Sequence, residues 1–172
     1  SFFDEASTGG GGGGGGQIIS GITPPSDISK LWLNDSDGLI YFYNGEFWIT
    51  SQVFQIQFNE PGGTNNNAFL RYGSMTTNNS RGAPCQYNSL FISAGFRRGN
   101  TSNGRIAVYA NNFTTLASEA FSFDISGQQG GDAETIIGEP EILAGSFLAP
   151  RWVGNQTNNL ALILNYRKVY LP

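Results

Sequence analysis

The chain has no histidine, a single cysteine at Cys85 and thirteen carboxylates, and that inventory decides most of its possible chemistry. Without imidazole there is no Ser-His-Asp or Cys-His nucleophile, no His-ligated zinc and no histidine general base. A lone thiol builds no thiolate zinc site, so Cys85 reads as a small buried hydrophobe. Two carboxylates about 5 to 10 Å apart can hydrolyse a glycoside. Glu134, Glu139 and Glu141, however, sit in a Gly/Pro-bounded stretch with no aromatic platform beside them, and surface solubility is their expected role. Asp35-Ser36-Asp37-Gly38 has the form of half a calcium loop, but the oxygen ligands and terminal Glu that complete such a loop are missing, which leaves a plain turn. Gly9 to Gly16 is no phosphate loop, because no strand precedes it and no helix with Lys-Ser/Thr follows.

Residues that could hold a ligand without chemistry are aromatic or basic. Trp32, Tyr41, Phe42, Tyr43, Phe47 and Trp48 could stack on sugar rings. They fall within thirty residues, a module too small for a core of its own, so they are expected to bury against one another or against neighbouring copies. Arg71-Tyr72, Arg97-Arg98 beside the loop 99–104, and Arg151-Trp152 are the other spots that could face a ligand. No catalytic residue, metal or cofactor is expected.

Composition narrows the partners. The net charge is −4, and the nine Lys and Arg are scattered, whereas nucleic-acid binding needs them clustered. No apolar run approaches the roughly 20 residues of a membrane helix, and the N-terminus has no charged-then-apolar signal pattern, so a soluble protein without membrane insertion is expected. No Met precedes Ser1, which suggests a processed product or a piece of something longer. Charged residues make up only 13%, about half the usual share, so neutral polar groups must cover the surface. Asn clusters at 65–67, 78–79, 111–112 and 158–159 are turn signals, and many turns imply many short strands. The Asn-x-Ser/Thr sequons at Asn34, Asn78, Asn100, Asn112 and Asn155 matter only in a eukaryotic secretory pathway.

These elements would have to position the residues above. Residues 1–20 form an arm with a glycine linker, read as flexible or as copies running side by side around an axis. Pro24-Pro25 sets an extended entry, Leu31 to Leu33 and Leu39 to Tyr43 are strands about the turn at Asp35 to Gly38, and Asn44-Gly45 sends the chain back through Glu46 to Thr50. From Gln52 to Glu60, Phe54, Ile56 and Phe58 alternate with Gln55 and Gln57 as in a half-buried strand. Residues 59–64 read as a loop, 68–72 as a strand, and 73–85 as a long polar loop. Residues 87–96 and 105–110 read as a strand pair with its reversal at Asn103-Gly104. The stretch 113–123 could line a helical face, but the alternation of Phe121 and Phe123 favours a short strand ending at Asp124. After a loop at 126–132, further strands are expected at 133–137, 141–149 and 159–171. The last has Leu160, Leu162 and Leu164 on one face and Ala161, Ile163 and Asn165 on the other, which suits the middle of a sandwich or a subunit contact. The fold class is all-β: a meander at 21–50 before a β-sandwich head at 51–172, of jelly-roll type.

The segment from Pro24 to Trp48, with PPSD, SKLW, DG and IYFYNGEFW in order, resembles short modules of tailed-phage fibres and other virion appendage proteins. The resemblance covers about thirty of the 172 residues. It implies a non-enzymatic virion surface protein, a distal tail-fibre or spike part that recognises a host-surface glycan or protein through head loops. It also implies a homotrimer joined to other virion proteins by its N-terminal arm. A capsid decoration or cement protein that stabilises the shell is the alternative, and a carbohydrate-binding module the third.

Overall fold

A computed structural model describes residues 17–78, 80–111, 118–133 and 141–172. The arm before Gln17, the start of the 113–123 stretch, and Glu134 and Glu139 lie outside the described residues. Among the described residues the regular elements are strands: β1 (Ile18–Gly21), β2 (Leu31–Asn34), β3 (Leu39–Tyr43), β4 (Trp48–Thr50), β5 (Phe54–Thr64), β6 (Arg71–Tyr72), β7 (Met75–Thr76), β8 (Ala83–Pro84), β9 (Ser89–Arg97), β10 (Gly104–Asn111), β11 (Ser118–Asp124), β12 (Gly130–Ala133), β13 (Glu141–Ile142), β14 (Phe147–Gly154) and β15 (Thr157–Tyr170). The protein is all-β. A large sheet runs β1-β2-β3-β4-β15-β5-β6-β7, with β9 also on β15 and both β12 and β13 on β9. A second sheet runs β11-β10-β14-β8, and the two enclose one core. Ile56, Phe58, Phe91, Phe96, Leu162 and Leu164 face Ile106, Val108, Phe123, Leu148 and Trp152 across it.

The meander follows its turn chemistry. Gly38 and Gly45 take positive φ of 71° and 106°, a backbone region that glycine enters without a Cβ clash. The Asn44 side-chain oxygen accepts the N–H groups of Glu46 and Phe47 at 3.0 and 2.7 Å, which closes the hairpin. Ahead of these three strands lies a fourth that the sequence reading placed in the linker. Ile18 to Gly21 forms β1 and pairs with β2 in parallel, so residues 22–30 make the crossover that parallel strands require.

Strand β15 ties the meander to the head. It runs fourteen residues, pairing β5 and β9 along most of its length and then β4 through Val169 and Tyr170. The hydrogen-bonded sheet therefore continues across residue 51. At the same joint the Arg167 guanidinium donates to the carbonyls of Thr50 and Ser51, each at 2.6 Å, and stacks 5.4 Å over Phe42. The apolar character of both β15 faces matches its central place between β5 and β9.

Other assignments also differ from the sequence reading, among them the loop expected at 126–132, whose end pairs with β9 as β12. Strands β9 and β10 are not a hairpin, because β9 pairs within the large sheet and β10 lies between β11 and β14 in the other. Gly104 is required there by packing: a Cβ would stand 2.4 Å from the Trp152 ring. Residues 59–64 continue β5, with a bulge opposite at Asn159, whose φ is 49° and whose side chain accepts the Gly62 N–H at 2.9 Å. The span 73–85 holds β7, β8 and buried Thr77, Ala83 and Cys85. Glu141 to Ala149 is broken between β13 and β14 by a turn with Gly145 at φ 85°. Cys85 is buried as expected, and burial pushes its thiol pKa up to about 12.

Candidate functional site

The meander aromatics form a core. Trp32 and Tyr41 are fully buried and Trp48 nearly so, with Tyr43 and Tyr170 packed against them. The Trp32 ring lies 5.1 Å from Tyr41, 5.9 Å from Trp48 and 4.8 Å from Tyr170, the last two edge to face, which is how ring quadrupoles attract. The Trp32 indole N–H donates to the Gly21 carbonyl at 2.9 Å. Phe47 belongs elsewhere, with Ile49, Leu90 and Val169. These rings pack within one chain, so neither sugar stacking nor a contact between copies is open to Trp32 and Tyr41.

The half calcium loop is likewise occupied by the protein itself. The Asp37 carboxylate accepts the Leu39 N–H at 3.0 Å, the Tyr41 hydroxyl at 2.8 Å and the Lys168 ammonium. Burial alone would raise the Asp37 pKa, but these donors, Lys168 foremost, outweigh it and hold the carboxyl below its ordinary value. Burial and the same carboxylate push the Tyr41 phenol pKa upward. Among the described residues no group of His, Cys, Asp and Glu could hold a metal ion.

The three Arg-aromatic spots separate. Arg98 is 3% exposed and Trp152 wholly buried, so neither can meet a receptor, contrary to the sequence expectation. The Arg98 guanidinium lies 5.2 Å over the Trp152 ring and donates to the carbonyls of Gln128 at 2.6 Å and Ile125 at 2.5 Å. Desolvation lowers its pKa, against the pull of Asp124. Arg151, half-buried on the outer face of the second sheet, lies over Tyr109 at 4.7 Å and Phe69 at 5.6 Å and donates to the Tyr109 hydroxyl at 2.6 Å. Arg71 ion-pairs with Glu60 at 3.2 Å, while exposed Tyr72 packs on Phe58. Arg97 alone of the six is both exposed and set against a depression.

That depression is the candidate site. On the outer face of the large sheet the register aligns Gly130, Arg97, Ala161 and Asn59 in one row and Asp132, Gly95, Ile163 and Gln57 in the next. Residues directly opposite in adjacent strands share a face, and the alternate residues Phe96, Leu162 and Phe58 turn into the core. Small side chains at Gly95, Gly130 and Ala161 leave the middle of the sheet low. The result is three adjoining depressions of about 710, 330 and 400 Å³, all of which include Ala161. The trough exposes one guanidinium, Arg97, and one carboxylate, Asp132, while Arg98, which also borders the largest depression, is buried, so the exposed charge is balanced. The side-chain amides of Gln57 and Asn59 make no hydrogen bond to the described residues, and Gln129 flanks the largest depression. Amides and a guanidinium beside a small apolar floor suit a hydroxyl-rich ligand, which needs donors and acceptors in alternation.

Sequence reasoning picked out Arg97 and missed Gln57, Asn59, Gln129, Asp132 and Ala161. Strand alternation was the one signal for Gln57, because it opposes Phe58 on β5. The rest gain meaning only from register. No protein-family model matches the sequence, and no curated protein matches it.

Proposed function

We propose that the chain is a non-enzymatic virion surface protein, the distal part of a tail fibre or spike, that recognises a host-surface glycan through the outer trough of the large sheet. The observation that carries the recognition half is the trough itself: a low, near-neutral surface with free amides at Gln57 and Asn59 and a free guanidinium at Arg97. The appendage half is supported by the resemblance of the Pro24 to Trp48 segment to fibre modules. Binding sits on the sheet face rather than on loop tips, and the aromatic meander is scaffold. A shallow site without an aromatic platform binds weakly per copy, as suits a surface displayed many times on one particle.

The test is binding of labelled protein to whole bacterial cells and to a glycan array, beside capsid shells that lack it. Cell and glycan binding that Ala161→Phe abolishes, with thermal unfolding unchanged, is the expected result. Binding to shells alone would replace this reading with the decoration protein. Glycan binding that survives Ala161→Phe would place the site elsewhere.

A further inference from the structure

We propose that β1 is an assembly edge, and that its partner is β1 of a second copy of the same chain. The carbonyls of Gln17 and Gly21 accept the N–H groups of Leu31 and Asp35, so these residues turn their backbone toward β2. By strand alternation Ile18 and Ser20 turn theirs outward, and β1 has no other neighbour among the described strands. Its Ile18 is 50% exposed, and Ile22, just beyond, is 69% exposed.

Unpaired strand edges invite other chains, and proteins blunt them with shortness, proline or charge. The other outer strands here follow that rule. Strands β7, β8 and β13 are two residues each, and β8 contains Pro84. Strand β11 carries Glu119 and Asp124, and β12 carries Asp132. Strand β1, at four residues, is longer than β7, β8 and β13 and lacks the other two devices: from Gln17 to Thr23 the sequence holds no charge and no proline.

A second copy fits because the edge is self-complementary. Antiparallel pairing about a two-fold axis at Ile19 sets Ile18 of each chain opposite Ser20 of the other, which makes about four backbone hydrogen bonds. It also gives β1 a second neighbour, where it is held now by one short parallel pairing. The homotrimer that the resemblance implies draws no support from Trp32 and Tyr41, which are buried within one chain. A paired protein carries two troughs, and linked weak sites gain avidity.

Sedimentation velocity of the full chain over about 1 to 100 μM tests this. The expected result is a concentration-dependent dimer whose dissociation constant rises about tenfold or more in Ser20→Pro, which removes an outward N–H that β2 does not use. Ile18→Lys is expected to act in the same direction, whereas Thr76→Lys on β7 leaves the dimer unchanged. Near-ultraviolet circular dichroism of the tryptophans checks folding, and if Ser20→Pro does not fold, Ile18→Lys decides. A monomer at all concentrations, a trimer, or a dimer unaffected by Ile18→Lys would overturn the proposal.

Discussion

In the meander, Trp32, Tyr41, Trp48 and Tyr170 crowd to centroid distances between 4.8 and 6.4 Å and shut water out. In the trough, Gly95, Gly130 and Ala161 leave the sheet surface low and let water in. Both regions lie on one sheet joined by β15, yet residue size works in opposite senses in them. Large rings in a four-stranded module of some thirty residues have to serve as its interior, because nothing else there can exclude water. On a sheet already buried on its inner face, the outer face is free to go without bulk, and recognition can be built from absence of side chain plus a few polar groups at the rim.

The largest way to break this contrast is Trp32→Ala. Loss of a fully buried indole from an aromatic cluster is expected to cost about 3 to 5 kcal/mol in denaturant unfolding. Glycan binding per folded molecule is expected to stay at the wild-type level. Lost binding with stability intact would make the meander the site and the trough mere surface.

Arg97 and Arg98 carry the same contrast at a single sequence step. Arg98→Ala removes the side-chain donor of the Gln128 carbonyl and one of the two donors of the Ile125 carbonyl, and opens space beside Trp152, with an expected cost of about 2 to 3 kcal/mol. Arg97→Ala removes only an exposed guanidinium, so stability should stay within about 0.5 kcal/mol while glycan binding falls. Equal stability losses in the two variants would mean that Arg97 is structural as well.

Much of the framework was legible because period and turn chemistry are local. The alternation of Phe54, Ile56 and Phe58 marked β5, Asn44-Gly45 marked the β3-β4 hairpin, and the doubly apolar β15 pointed to a central strand. What was illegible depends on which strand sits beside which. Asn103-Gly104 signals a reversal but does not say whether the chain stays in its sheet, and here it crosses to the other one. Gly104 is glycine because of Trp152, forty-eight residues away in sequence. The trough is harder still, since alanine, glycine and glutamine are unremarkable until register brings them into two rows. Arg98 illustrates a limit of residue type: the same guanidinium that suggests a ligand contact also caps backbone carbonyls in an interior.

The smallest effect separates packing from charge at the meander. Asp37 joins the β2-β3 turn to β15 through Lys168, so the ion pair, rather than the rings, could be the main tie. Asp37→Asn is expected to cost about 1 kcal/mol at neutral pH, well under Trp32→Ala, because the amide oxygen still accepts the Leu39 N–H and the amide NH2, in place of the second carboxylate oxygen, donates to the Tyr41 hydroxyl oxygen. Its pH dependence has a fixed sign. The folded-state pKa of Asp37 lies below the ordinary 3.8, so the unfolded chain takes up the proton first. The stabilisation is therefore complete above the ordinary carboxylate value and disappears as pH falls through the folded one. Unfolding of wild type and Asp37→Asn measured from pH 7 to pH 2 should show a gap that is constant down to about pH 4 and then closes. A gap as large as that of Trp32→Ala at neutral pH would make charge, not aromatic packing, the bond between meander and head; a gap that persists into acid would mean that the Asp37 charge contributes nothing.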